Sequence, residues 1–355
     1  MLGVFWVLGV SAAVAQQASQ SLTPKEGDYV SHDFHFRSGE TLPELRLHYS
    51  TLGTPARNAN GQVTNAVMLL HGTTGSGTQF LTPQFADVLF GPGQLLDAAR
   101  YYIILPDNIG HGKSSKPSDG MHARFPQYDY DDMVAAQHEL LAKGLGVNHL
   151  RLILGTSMGC MHSWIWGENY PGFIDALMPL ACQPVPIAGR NRLWRKMTID
   201  AIRDDPAWKN GDYSAEPEGA LKIAAEMFQI AAGSALQMQQ QFPTREATDT
   251  AGAEYAKRFI AGHDANDLLY ALKASWNYDP SGQLEKISAP VMFVNSADDF
   301  INPPELGIAE REIKRVKNGR FVLIAISEQT RGHGTHTSAA VWQQYLKELL
   351  EVSQR

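Results

Sequence analysis

The chain has 355 residues, a formal charge of −7, 44% hydrophobic residues and 19% charged residues. That balance is globular, which excludes a disordered chain, and the length suits one large α/β domain with an insertion, or two domains. A mild negative charge without a basic run argues against nucleic acid as a partner, and two cysteines cannot build a disulfide framework or a cysteine-rich zinc module.

Residues 1–15 read MLGVFWVLGVSAAVA, uncharged and apolar, ending in Ala13-Val14-Ala15. The stretch is too short to span a bilayer and has a small-residue cleavage pattern, so it reads as a signal peptide cut after Ala15, although it lacks a basic start. The mature protein is then expected in the periplasm or outside the cell, without stable membrane association. A start codon further along would make it cytoplasmic.

From Asp28 to Gly53 polar and apolar residues alternate (HDFHFR, ELRLHYS), the period of half-buried antiparallel strands. Continuous apolar runs follow at AVMLLH (66–71), YYIILP (101–106), LRLILG (150–155), ALMPLA (176–181), PVMFVN (290–295) and RFVLIAI (320–326). Short runs apolar on both faces predict buried parallel strands, and helical patterns such as 131–145 and 338–350 separate several of them. The alternation predicts a doubly wound α/β sheet. Residues 186–287 break it: they hold helical patterns and no strand run, which predicts a helical cap over the carboxyl edge of the sheet. The core then comprises 16–185 and 288–355.

Gly155-Thr156-Ser157-Met158-Gly159 closes the run LRLIL and opens a helical pattern. This is G-x-S-x-G in the strand–turn–helix setting that lifts a serine hydroxyl above a sheet. Serine needs a base, and the base an orienting acid, here in the chain order Ser, Asp/Glu, His. Asp298 and Asp299 follow the run PVMFVNS; Asp299 is favoured, with Asp298 as the alternative. His333, between two glycines after the last apolar run, is the favoured base, with His336 the runner-up. Alanine at Asp299 or His333 is expected to remove most activity, and at their neighbours to leave most of it. The oxyanion donors are expected to be the N–H groups of Met158 and of Thr73 in HGTTG. His333 and His336 have the spacing of a metal pair but no third ligand nearby, and no metal or cofactor is expected. His32 and His35 fall on opposite faces of a strand. The loop DNIGHGKSSKP lacks the phosphate-loop spacing and reads as a structural loop flanking the site. Cys160 and Cys182 read as buried free thiols, although export would permit them to pair.

These residues resemble the α/β-hydrolase superfamily and, within it, the homoserine O-acetyltransferase-like branch. The resemblance runs from about Leu47 to Leu350. LHYSTLGTPARNANGQVTNAVMLLHGTTG is similar to the branch's opening strands and oxyanion loop, and LFGPGQLLDAARYYIILPDNIGHG to its next strand and loop. TIDAIRDDPAWKNGDY and DANDLLYALKASWNYD resemble its cap helices, and NSADDFINPPE and GHGTHT its acid and base loops. The resemblance implies a mostly parallel, eight-stranded sheet with helices on both faces and an inserted cap. It also implies that Asp299 and His333 are the acid and base. The chain departs from the branch at IGHGKSSKPSDG, which looks like the loop of plain hydrolases. The arginines expected to hold an amino-acid carboxylate have no clear match, and Arg190, Arg192 and Arg195 are candidates.

The expected function is an exported serine hydrolase acting on a small-molecule ester, thioester or lactone. The alternative is an O-acyltransferase passing acetyl from acetyl-CoA to an alcohol such as homoserine. A non-catalytic binding module is disfavoured because all three residue types of the triad are present. A homodimer is left open.

Overall fold

The structure, a computed structural model, describes residues 22–354. The signal peptide expected at 1–15 lies outside the described residues. The alternating N-terminal segment forms β1 (Lys25–His35) and β2 (Thr41–Leu52). The apolar runs form β3 (Ala66–Leu70), β4 (Tyr102–Pro106), β5 (Leu152–Thr156), β6 (Leu177–Leu180), β7 (Val291–Ser296) and β8 (Gly319–Ile324). They make one 8-stranded sheet in the order β1-β2-β4-β3-β5-β6-β7-β8. The contacts β1–β2 and β2–β4 are antiparallel, and every other pairing is parallel.

Strands β3 to β7 are buried at every residue, which is why they carry no alternation. On one face of the sheet lie α1 (Pro83–Leu89) and the C-terminal helix, whose Phe85, Leu89, Trp342 and Leu346 share a core with Leu69, Leu105 and Leu154. On the other face α2 (Tyr130–Glu139) and α3 (Met158–Asn169) supply Met133, Val134, Trp164 and Trp166 against Met68 and Ile153.

Between β6 and β7 come α4 (Gly189–Asp204), α5 (Glu218–Ala232), α6 (Ala235–Gln241), α7 (Arg245–Gly262) and α8 (Ala265–Lys273). They have a core of their own, built on Trp194, Ile202, Leu221, Phe228 and Phe259, and Ile301 from the sheet edge joins it. Helix α6 was not read from the sequence: ALQMQQQ buries no residue and so has no apolar stripe to announce it. The chain ends with α9 (Ile308–Glu312) and α10 (Ala339–Val352), the C-terminal helix. Among the described residues no helix is long and apolar enough to cross a membrane.

The cysteines correct the sequence reading. Cys160 and Cys182 are not free thiols; they form a disulfide with Cα atoms 5.8 Å apart. The cause is the parallel register of β5 and β6, which sets Thr156 beside Leu180. The first turn of α3 and the chain leaving β6 therefore meet. That distance depends on strand order, which spacing along the chain does not carry.

Candidate active site

Strand β3 lies between β4 and β5, so the chain after β3 and the chain after β5 leave the sheet in opposite directions. Open α/β sheets bind ligands in the crevice at such a point. The loop 71–76 and Ser157 both lie there.

Ser157 sits in the turn from β5 to α3 with φ 54° and ψ −107°, a region that L-residues rarely adopt. Two glycines make that turn attainable. A Cβ at Gly155 would run into the Gly159 carbonyl, and one at Gly159 into the Leu70 carbonyl. Donation from Gly159 N–H to the His71 carbonyl (3.0 Å) fixes the first turn of α3 against the loop after β3. The turn is strained, and its surroundings hold the hydroxyl clear of the sheet.

Ser157 Oγ is 2.9 Å from His333 Nε2. His333 Nδ1 lies 3.0 and 3.1 Å from the two oxygens of Asp299. Asp299 is 2% exposed, and it also accepts from the N–H groups of Ile301 (2.8 Å) and Asn302 (3.0 Å) and from Asn302 Nδ2 (3.2 Å). Burial alone pushes this carboxyl up, but the His333 charge and these donors pull further, and the net shift is down. The acid is therefore ionised and points its charge at the imidazole. The structure thus brings the favoured serine, histidine and aspartate into one hydrogen-bonded chain.

The two alternatives occupy different positions. Asp298 Oδ2 accepts from Gly332 N–H (2.9 Å) and Thr330 Oγ1 (3.0 Å), so it ties down the loop that carries His333. Gly332 has φ +61°, and a side chain there would strike the Gly233 carbonyl between α5 and α6. His336 packs edge-on against His333 with ring centroids 5.0 Å apart. Burial, then the His333 charge, push it down to about 3, so it stays a neutral neighbour.

Met158 begins α3, so its N–H is one of the first-turn donors that find no acceptor within the helix. Thr73 is buried, and its carbonyl accepts from His111 Nε2 (2.8 Å). The loop DNIGHGKSS supplies that histidine. Its Asp107 accepts from Gly77 N–H (2.7 Å) and Lys113 N–H (2.8 Å), binding the loop after β3 to the loop after β4. These supporting roles of Asp107 and His111 were not read from the sequence. The alternation of Asp, Gly and His with donors was the only signal, and it does not say what it holds.

Above Ser157 a cavity of about 620 Å³ opens between sheet edge and cap, lined by Thr73, Lys116, Ser157, Arg195, Phe228 and His333. Of the three candidate arginines only Arg195 faces it. Arg190 lies over the Phe300 ring and Arg192 over Trp276. Arg195 is 2% exposed and is held by neutral groups, with Nε donating to Asn191 Oδ1 (3.0 Å) and Nη1 to Ser275 Oγ (3.3 Å). Among the described residues no carboxylate pairs with it. No group of three or more His, Cys, Asp or Glu among the described residues is arranged to hold a metal ion.

Residues 65–325 match the family described as alpha/beta hydrolase fold. The chain belongs to that family. It is an α/β-hydrolase-fold enzyme related to homoserine O-acetyltransferases. A homoserine O-acetyltransferase of Pelobacter propionicus is 30% identical over 354 residues, covering 89% of this chain and 92% of its own. A probable acyltransferase of Methanothermobacter thermautotrophicus is 29% identical, covering 77% and 82%. Among solved structures, an acetylester hydrolase from Corynebacterium glutamicum superposes with TM-score 0.80 at 19% identity, over 92% of this chain and 96% of that one. A homoserine O-acetyltransferase from Bacillus anthracis superposes with TM-score 0.79 at 22% identity, over 94% and 98%.

Proposed function

We propose that the chain is an exported serine hydrolase that cleaves a small acyl ester, thioester or lactone through an acyl-enzyme. The observation that carries this is the 2.9 Å contact of His333 Nε2 with Ser157 Oγ, with Asp299 behind the ring. His333 takes the Ser157 proton as Oγ bonds to the substrate carbonyl carbon. The carbonyl oxygen becomes an oxyanion and accepts from the N–H groups of Thr73 and Met158. Collapse breaks the bond to the leaving group, which takes the proton from His333. Water then gives its proton to His333 and attacks the acyl carbon, and Ser157 regains its proton as the acid leaves. Asp299 keeps the tautomer with hydrogen on Nδ1 and stabilises the imidazolium formed in both halves.

Export is supported by the leader-like residues 1–15 and by the Cys160–Cys182 disulfide, since such bonds persist in oxidising compartments. There acetyl-CoA is scarce and water is the available acceptor.

A second reading is an O-acyltransferase. It is favoured by the relatives near 30% identity and by Arg195, a buried cation without an acid partner in the cavity above Ser157. An acceptor carboxylate would fill that gap. The acyl-enzyme is common to both readings, and only its acceptor differs. The test is acyl partitioning. The protein is loaded with a chromogenic acetyl ester, with Ser157→Ala as the blank, and excess L-homoserine is added. Acetate regardless of homoserine supports the hydrolase; accumulating O-acetylhomoserine supports the transferase.

A further inference from the structure

A second cavity of about 480 Å³ lies beside the first, with a different lining. Its walls include Met161, Val185, Ile187, Ile301 and Leu306. At its rim the Arg190 guanidinium lies 3.6 Å from Glu305. Three features join it to the reaction site. Ile301 lines both cavities. Asn191, on its wall, accepts the 3.0 Å hydrogen bond from Arg195 Nε, and Arg195 lines the first cavity. Met161 lies one helical turn past Ser157, and its N–H donates to the Ser157 carbonyl (3.2 Å). The Ile301 side chain and the Asn191–Arg195 hydrogen bond thus lie between the two cavities.

We propose that the second cavity is a specificity subsite of the hydrolytic site and takes an alkyl or aryl arm of the substrate. This rests on the reading of Ser157 as the nucleophile of an esterase. The substrate class is then an amphiphilic ester. Its polar or anionic end lies in the first cavity near Arg195 and Lys116, and its apolar arm crosses Ile301. The volume is within the range of small-molecule sites, and an apolar arm there leaves water without burying a polar group. Cap and sheet edge both contribute. Val185, Ile187 and Asn191 come from the chain leading into α4 and its first turn, and Ile301 and Leu306 from the chain after β7. A substrate arm seated there touches the stretch that also holds Asp299, because Asn302 lines this cavity and donates to Asp299.

The full chain is assayed with 4-nitrophenyl acetate, butanoate and octanoate, as wild type, Val185→Trp, Ala188→Trp and Ile301→Ala. The readout is the ratio of kcat/KM for octanoate to that for acetate. A tryptophan that fills the cavity is expected to lower this ratio at least tenfold, and Ile301→Ala, which shortens the side chain between the cavities, to raise it. Val185 is half-buried and Ala188 lies at the exposed rim, so two fillers guard against loss of fold. An unchanged ratio in both fillers, with cooperative melting retained, overturns the subsite. If no ester is cleaved, the esterase reading falls, and the subsite is read by calorimetry instead. Free octanoate is then titrated into wild type and Val185→Trp. Binding to wild type weakened at least tenfold in the variant supports the subsite, and equal binding or none overturns it.

Discussion

The sheet edge and the cap treat buried charge in opposite ways. At the sheet edge the charges already have partners: Asp299 is met by His333, two backbone N–H groups and Asn302. In the cap Arg195 does not: it is met only by neutral groups. Asp267, which accepts from Ser118 and lies 3.7 Å from Lys116 Nζ, is still pushed up by burial to about 6. Burying an uncompensated charge costs several kcal/mol, so a site keeps one where a ligand later completes it. On the proposed function the contrast is a division of labour, with the reacting groups preset by the sheet and the substrate chosen by the cap.

The strongest way to break that division is at the sheet edge. Ser157→Ala and Asp299→Asn are each expected to lower kcat by about 10⁴ or more, with the melting curve still cooperative. A variant within tenfold of wild type on an acetyl ester would mean the bonded chain is not the reacting one. The cap is tested next. Arg195→Met is expected to raise KM about tenfold or more for an ester carrying a free carboxylate, the size of one lost charged hydrogen bond. It should leave KM for a neutral acetyl ester nearly unchanged; equal effects on both would return Arg195 to a packing role.

Asp298 sharpens the boundary between the two regions. The sequence reading expected its removal to be tolerated, but it holds the loop of His333 through Gly332 and Thr330. Asp298→Ala is expected to lower kcat about tenfold with little change in KM, as one or two such bonds are lost. Unchanged kcat would show that the glycines alone fix the histidine.

The smallest effect lies far from both. Burial, then Asp131, pushes the Glu168 carboxyl from its ordinary 4.5 up to about 8. The unfolded chain loses that proton near 4.5 and the folded one near 8, so stability falls as pH rises between those values. Glu168→Gln should melt with wild type near pH 4.5 and above it near pH 9. Coincident melting at both would mean Glu168 is solvated.

Most of the sheet was legible because each buried strand is a short apolar run bounded by polar residues, as AVMLL and VMFVNS are. Ser157 was legible because the glycines at 155 and 159 are forced by backbone approach, and such constraints leave local marks. Choosing Asp299 over Asp298 drew on the Pro-Pro step after it, yet both residues make bonds that only folding reveals. Helix α6 was invisible because it packs too little to need a pattern, and Asp107 and His111 because they act across loops 30 or more residues apart in sequence. The pairing of Cys160 with Cys182 was hidden for the same reason, since strand order, not spacing, made them neighbours.

That disulfide has a practical consequence for anyone preparing the protein. It joins the helix that starts just after Ser157 to the chain entering the cap. By loop-closure entropy a bridge of this span contributes about 3 kcal/mol. Material in which this bond has not formed is therefore a covalently different molecule, with two free thiols: less stable and open to mispairing between copies. Thiol titration of each batch belongs before any rate is compared.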